Sequence, residues 1–241
     1  MLNNNERFEV LDSFRGIAAI CVAMSHMRYA GSIAELEFFR GSWLFVEFFF
    51  VLSGFVLTHG YAYKDYLTFR QFAIPRTFRI FPLHIVMLLF FLFLEIGKFG
   101  ASQYGFNFNS GVFSGPTAIR EIIPNLLLLQ SWTGYTELSF NVPSWSLSIE
   151  YYMYMLFFVT LFLKGGARGL LWLGIVIMVV YLFLNNIELI TVSVERGLYS
   201  FFIGSLTYIF YRNIKNYTVK IPSYVLTFFE LVCCVLVFYI V

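Results

Sequence analysis

The sequence predicts an all-α fold, a polytopic transmembrane helix bundle of about seven spanning helices plus a short re-entrant or surface helix. Composition is the first reason. Of 241 residues, 59% are hydrophobic and only 12% charged, with a mean hydropathy of +0.76. A soluble domain is nearer half apolar and a quarter charged, so the lipid bilayer is the expected partner of most of this surface. Run length is the second reason. The apolar segments are too long and too uniform for the weak alternation of barrel strands. The distribution of basic residues is the third, and it sets the topology.

Residues 10–30 form the first predicted span, and they carry Asp12, Arg15 and His26 inside or at the edge of the apolar run. An ionised side chain near the middle of a span costs about 2.5–3.5 kcal/mol on insertion scales, so this stripe is expected to face protein. Arg15 and His26 lie eleven residues apart. On a helix that spacing places them on one face, about 16 Å apart. Asp12, one turn before Arg15, is within pairing range.

The further predicted spans are 43–61, 80–97, 144–163, 170–185, 197–211 and 222–241. Segment 119–132 has a short apolar core interrupted by Pro124, which suits a short or re-entrant element better than a crossing. With that segment not crossing and the N-terminus cytoplasmic, eleven of the 16 basic residues fall inside and five outside. That asymmetry obeys the positive-inside rule, places the C-terminus outside, and makes 99–143 a loop over the bundle mouth. The chain is expected to be a single integral-membrane domain over 1–241, resident in the cell (inner) membrane. No basic leader or small-residue cleavage site marks a removable signal. Cys21, Cys233 and Cys234 sit in apolar segments without metal-ligand spacing, so neither a metal nor a disulfide is expected. Nothing in the charge pattern points to nucleic acid.

Four stretches combine polar groups with apolar helix. The first is Asp12, Arg15 and His26. The second is 47–55, where Ser53 and Gly54 allow close backbone approach. The third is the Arg76/Arg79 pair, read as lying at the cytoplasmic mouth with Pro82 in the first turn of the next span. The fourth is 144–150, which brings Glu150 about two turns into a span.

In their order and spacing these stretches resemble the membrane-bound acyltransferase-3 family, which includes O-acetyltransferases of bacterial surface polysaccharides. The matching strings are L-D-S-F-R-G-I-A-A at 11–19 with His26 following, F-F-V-L-S-G-F at 49–55, R-x-x-R-I-x-P at 76–82 and S-W-S-L-S-I-E at 144–150. The resemblance implies transfer of an acyl group, usually acetyl, from acyl-coenzyme A (acetyl-CoA) to a hydroxyl of a carbohydrate or lipid-linked glycan such as lipopolysaccharide. It also implies that His26 is the catalytic histidine, Arg15 its motif partner, and Arg76 and Arg79 contacts of coenzyme A. Glu47 stands where the family commonly has Asp. The family's larger helix count implies that the last helices are missing from a seven-span chain.

The chemistry is coherent from the residues alone. A positioned imidazole can take the proton of a sugar hydroxyl as it attacks a thioester, or can itself attack and carry the acyl group. Arg15, oriented by Asp12, can stabilise an oxyanion. Arg76 and Arg79 offer forked donors to phosphates. Glu150 can pair with an arginine or orient His26. Ser53 is a candidate coenzyme contact, with helix packing as the alternative role. His59 and His84 are candidate coenzyme contacts or local hydrogen bonders, and Tyr104, Trp132 and Tyr135 are candidate stacking platforms for sugars. Two rivals stand beside the acyltransferase. One is a transporter with Asp12, Arg15, His26 and Glu150 as a proton relay; the other is an inactive fragment that keeps the motifs.

Overall fold

A computed structural model describes residues 8–27, 31–133, 138–215 and 222–240. Regular structure among the described residues is helical: α1 (Glu9–Ser25), α2 (Glu37–Gly41), α3 (Phe45–Tyr61), α4 (Phe69–Gln103), α5 (Ile122–Leu126), α6 (Ser144–Thr160), α7 (Gly165–Leu184), α8 (Val192–Lys215) and α9 (Ser223–Ile240). Two compact units divide the chain, Met1–Tyr63 with Ile203–Val241, and Lys64–Phe202.

In the first unit α1 packs on α3. The side chains of α1 that disappear are small, Ala18 and Cys21, while Ile17 and Ile20 stay more than half exposed. Apolar residues left outside are what a lipid-facing helix presents. α3 and the second half of α8 approach closely. A Cβ on Gly204 would run into the Val51 carbonyl oxygen, and Ser205 Oγ donates to the Gly54 carbonyl at 3.4 Å. Small residues at such a crossing replace the hydrophobic drive that lipid removes.

The second unit is built on α4, whose start is fixed by a capping box. Gln71 N–H donates to Thr68 Oγ1, and Thr68 N–H donates back to the Gln71 side chain. This corrects the expected span 80–97: the helix begins at Phe69, and Pro82 lies in its interior instead of its first turn. Side chains serve the carbonyls around Pro75, because Arg76 Nη1 donates to the Phe72 carbonyl at 2.6 Å and Thr77 Oγ1 to that of Ala73 at 3.0 Å. α4 packs on α6. Phe72, Phe157, Trp172, Phe201 and Phe202 form a fully buried aromatic core, with Phe157 stacked on Trp172 at 5.7 Å. Trp172 Nε1–H donates to Thr160 Oγ1 at 2.9 Å, which satisfies its one polar group.

Segment 119–132 contains only the five-residue α5 as α-helix, too short to cross. It is not a loop lying over the unit, however. Asn125, Leu128, Gln130 and Ser131 are all wholly buried. Their partners are on α6 and α4: Ser148 Oγ donates to the Leu128 carbonyl at 2.6 Å, Tyr152 OH to that of Leu127 at 2.9 Å, and His84 Nε2–H to that of Asn125 at 2.7 Å. Irregular backbone inside protein is stable only when its carbonyls find such donors.

Three stretches among the described residues are long and apolar enough to cross a membrane: Glu37–Tyr61, Phe69–Gln103 and Gly165–Leu184. They fit a membrane protein, with a smaller number of supported crossings than the expected seven. α1 and α6 have 17 residues each, about 25 Å of helix, short of a core of about 30 Å. α8 is long, but Glu195, Arg196, Arg212 and Lys215 interrupt it.

Candidate functional site

The first unit holds Asp12, Arg15, His26 and Ser53. Arg15 Nη1 stands 3.6 Å from Asp12 Oδ1, with both side chains partly exposed. His26 is not deep in a span. It is the C-terminal cap of α1, exposed, with its own N–H bonded to the carbonyls of Ala23 and Met24. Its ring Nδ1 lies 2.8 Å from the Val22 carbonyl oxygen and 3.3 Å from Ser25 Oγ. A carbonyl only accepts, so the contact with Val22 places the proton on Nδ1 and leaves the Nε2 lone pair available. Ser53 is half-buried next to the α3–α8 crossing, where the Gly54 carbonyl receives Thr58 Oγ1–H at 2.8 Å.

At the opposite end of α1, Phe8 meets the rings of Phe55, His59 and Tyr211 at 5.1–6.0 Å. His59 Nδ1 pairs with Tyr208 OH at 2.9 Å, and Arg212 lies 3.4 Å over the Tyr63 ring. The His59 imidazole is thus tied into an aromatic–cation cluster.

The second unit holds Glu150, Arg76 and Arg79. Arg76 is buried, its guanidinium 4.0 Å from the Phe72 ring centre and 5.6 Å from that of Tyr154. Tyr154 OH donates to Glu150 Oε1. One cluster therefore joins Arg76, Tyr154 and Glu150, while Arg79 is exposed. Tyr154 was missed from sequence, although its place four residues after Glu150 on one helix face could have indicated it. His84 is a buried hydrogen bonder, though its partner Asn125 lies 41 residues away. It continues the four-residue spacing Phe72, Arg76, Ile80, His84 and Leu88, all buried on α4. Lys64 and Arg70 are exposed, as is Tyr104; Trp132 is half-buried. Tyr135 lies outside the described residues.

The acyltransferase-domain family matches residues 8–241. The chain is 34% identical over 154 residues to "Acyltransferase MdmB" of Streptomyces mycarofaciens, covering 62% of this chain and 34% of that protein. It is 40% identical over 89 residues to "Protein 2 in picA locus" of Rhizobium radiobacter, covering 34% of this chain and 43% of that one. The matched segments span less than half the length of either relative. No solved structure matches the chain.

Proposed function

The chain belongs to the acyltransferase-3 family, and we propose from this that it moves an acyl group, usually acetyl, from acyl-coenzyme A to a hydroxyl of a cell-surface carbohydrate. The observation that carries the reading is the His26 ring, held through Nδ1 on the Val22 carbonyl with Nε2 left to take a proton. In the direct route the acceptor hydroxyl oxygen attacks the thioester carbonyl carbon. Its proton goes to His26 Nε2, the new C–O ester bond forms, the C–S bond breaks, and the proton leaves with the coenzyme A thiolate. In the two-step route Nε2 attacks first: a C–N bond forms as the C–S bond breaks, and coenzyme A leaves as the thiolate. The hydroxyl oxygen then forms the C–O bond as C–N breaks, and its proton passes to the freed Nε2 and on to the thiolate. Arg15, paired with Asp12, is proposed to hold a group of the donor, because about 16 Å of helix separates it from His26.

Arg79 and Arg76 are proposed as the donor-binding arginines, Arg79 as an exposed phosphate contact and Arg76 from within its aromatic sleeve. Glu150 is proposed to fix Tyr154 and, through it, the Arg76 environment. Ser53 is proposed to serve helix packing beside Gly54. A bundle of about seven crossings with the N-terminus cytoplasmic remains the topology proposed from charge bias. The test uses purified protein, radiolabelled acetyl-coenzyme A and a mixture of bacterial surface glycans. Label recovered on glycan as an alkali-labile ester is expected. Label that stays on coenzyme A, in protein shown to bind it, contradicts the reading.

A further inference from the structure

The second unit contains an open cleft of about 460 Å³, inside the roughly 300–1,000 Å³ range of small-molecule sites. Trp132 and Thr133 line one side, and Glu188, Leu189, Thr191 and Val194 the other. We propose that this cleft is a polyol site that takes a pyranose ring. The proposal rests on the carbohydrate reading above for its choice of ligand, and the cleft itself argues for a neutral, hydroxyl-rich one.

The platform is built before any ligand arrives. Trp132 Nε1–H already donates to the Ser148 carbonyl at 3.3 Å, and its ring meets Tyr152 edge-on at 5.6 Å. With its polar group engaged, Trp132 has ring surface to offer, the apolar surface on which the C–H face of a pyranose packs. Thr191 is equally fixed: its Oγ1–H donates to the Ser131 carbonyl at 2.8 Å, and its Oγ1 accepts from Val194 N–H at 3.3 Å. Both walls are thereby tied to one buried segment, with Ser131 Oγ–H bonded to the Trp145 carbonyl at 3.0 Å.

Charge selects the ligand. Glu188 is exposed and is the charged residue of the lining among the described residues. Its carboxylate accepts hydrogen bonds from hydroxyls and repels phosphates. The polyanionic donor is therefore a poor occupant, and a neutral sugar with an apolar face and donating edges a good one.

Saturation-transfer NMR tests this on the full chain in detergent micelles, with methyl β-D-glucopyranoside and methyl β-D-galactopyranoside as probes. Wild type is expected to saturate the sugar ring protons. Trp132→Ala is expected to weaken binding roughly tenfold and Trp132→Phe less. Glu188→Gln, at an exposed position, is expected to weaken it about threefold. No saturation in wild type, or saturation equal in wild type, Trp132→Ala and Glu188→Gln, overturns the proposal. Acetyl-coenzyme A turnover is read on the same samples to separate the two readings. Turnover that depends on His26, with sugar signals that ignore both lining residues, refutes the cleft and leaves the acyltransferase. Sugar signals lost with the lining residues, without such turnover, keep the polyol site and refute the acyltransferase.

Discussion

His26 and His84 are each tethered through one ring nitrogen to a backbone carbonyl, and they differ in everything else. His26 bonds to Val22, four residues back on its own helix. It lies exposed at the end of α1, so its second nitrogen meets whatever approaches. His84 bonds to Asn125, 41 residues away, and is 2% exposed. Its Nδ1 is buried without a hydrogen-bond partner. The same tautomer logic leaves the second nitrogen exposed at His26 and enclosed at His84, which acts as a structural pin. A histidine's role follows from what its free nitrogen faces, and no count of histidines reveals that.

The largest expected stability effect lies on the buried side. His84→Ala removes the donor to Asn125 and opens a void, and is expected to cost about 2–5 kcal/mol. The check is a lowered thermal midpoint of the solubilised protein, with His84→Gln recovering part of the loss. Gly204→Val forces a side chain against the Val51 carbonyl, and about 1–3 kcal/mol of destabilisation is expected from overpacking. A similar loss for an exposed control such as Gly174→Val, where a Cβ meets nothing within 4 Å, would deny that the crossing is tight. Ser148→Ala strips a donor from the Leu128 carbonyl and is expected to cost about 1–2 kcal/mol, read as faster amide exchange in the segment around Leu128. Asp12→Asn breaks a partly exposed pair and should change stability by less than about 1 kcal/mol, with a salt-dependent remainder. A loss as large as that of His84→Ala would erase the contrast between exposed and buried polar groups.

What was legible in the sequence follows the same division. Local signals were readable. The polar face of α1 with Asp12 beside Arg15 was visible from spacing, and the short character of 119–132 was visible from Pro124. The start of α4 was missed because Pro82 read as a first-turn residue, whereas Thr68 and Gln71 cap the helix and side-chain donors serve the carbonyls near Pro75. Non-local signals were not readable. The serines at 144 and 148 are polar for a reason found only in space, the Gln130 side chain and Leu128 carbonyl they hold. Burial of Arg76 over Phe72 likewise depends on α6 packing against α4. The end of α1 at Ser25 moved His26 from a span interior to a cap.

The most direct measurement is coenzyme A release from acetyl-coenzyme A per folded molecule, with His26→Ala and His84→Gln side by side. His26→Ala is expected to lose about 10²–10⁴-fold in turnover, with its thermal midpoint and acetyl-coenzyme A binding intact. His84→Gln is expected to lose stability while the folded fraction still turns over. Turnover that survives in His26→Ala and vanishes in folded His84→Gln would contradict the assignment and exchange the roles of the two imidazoles.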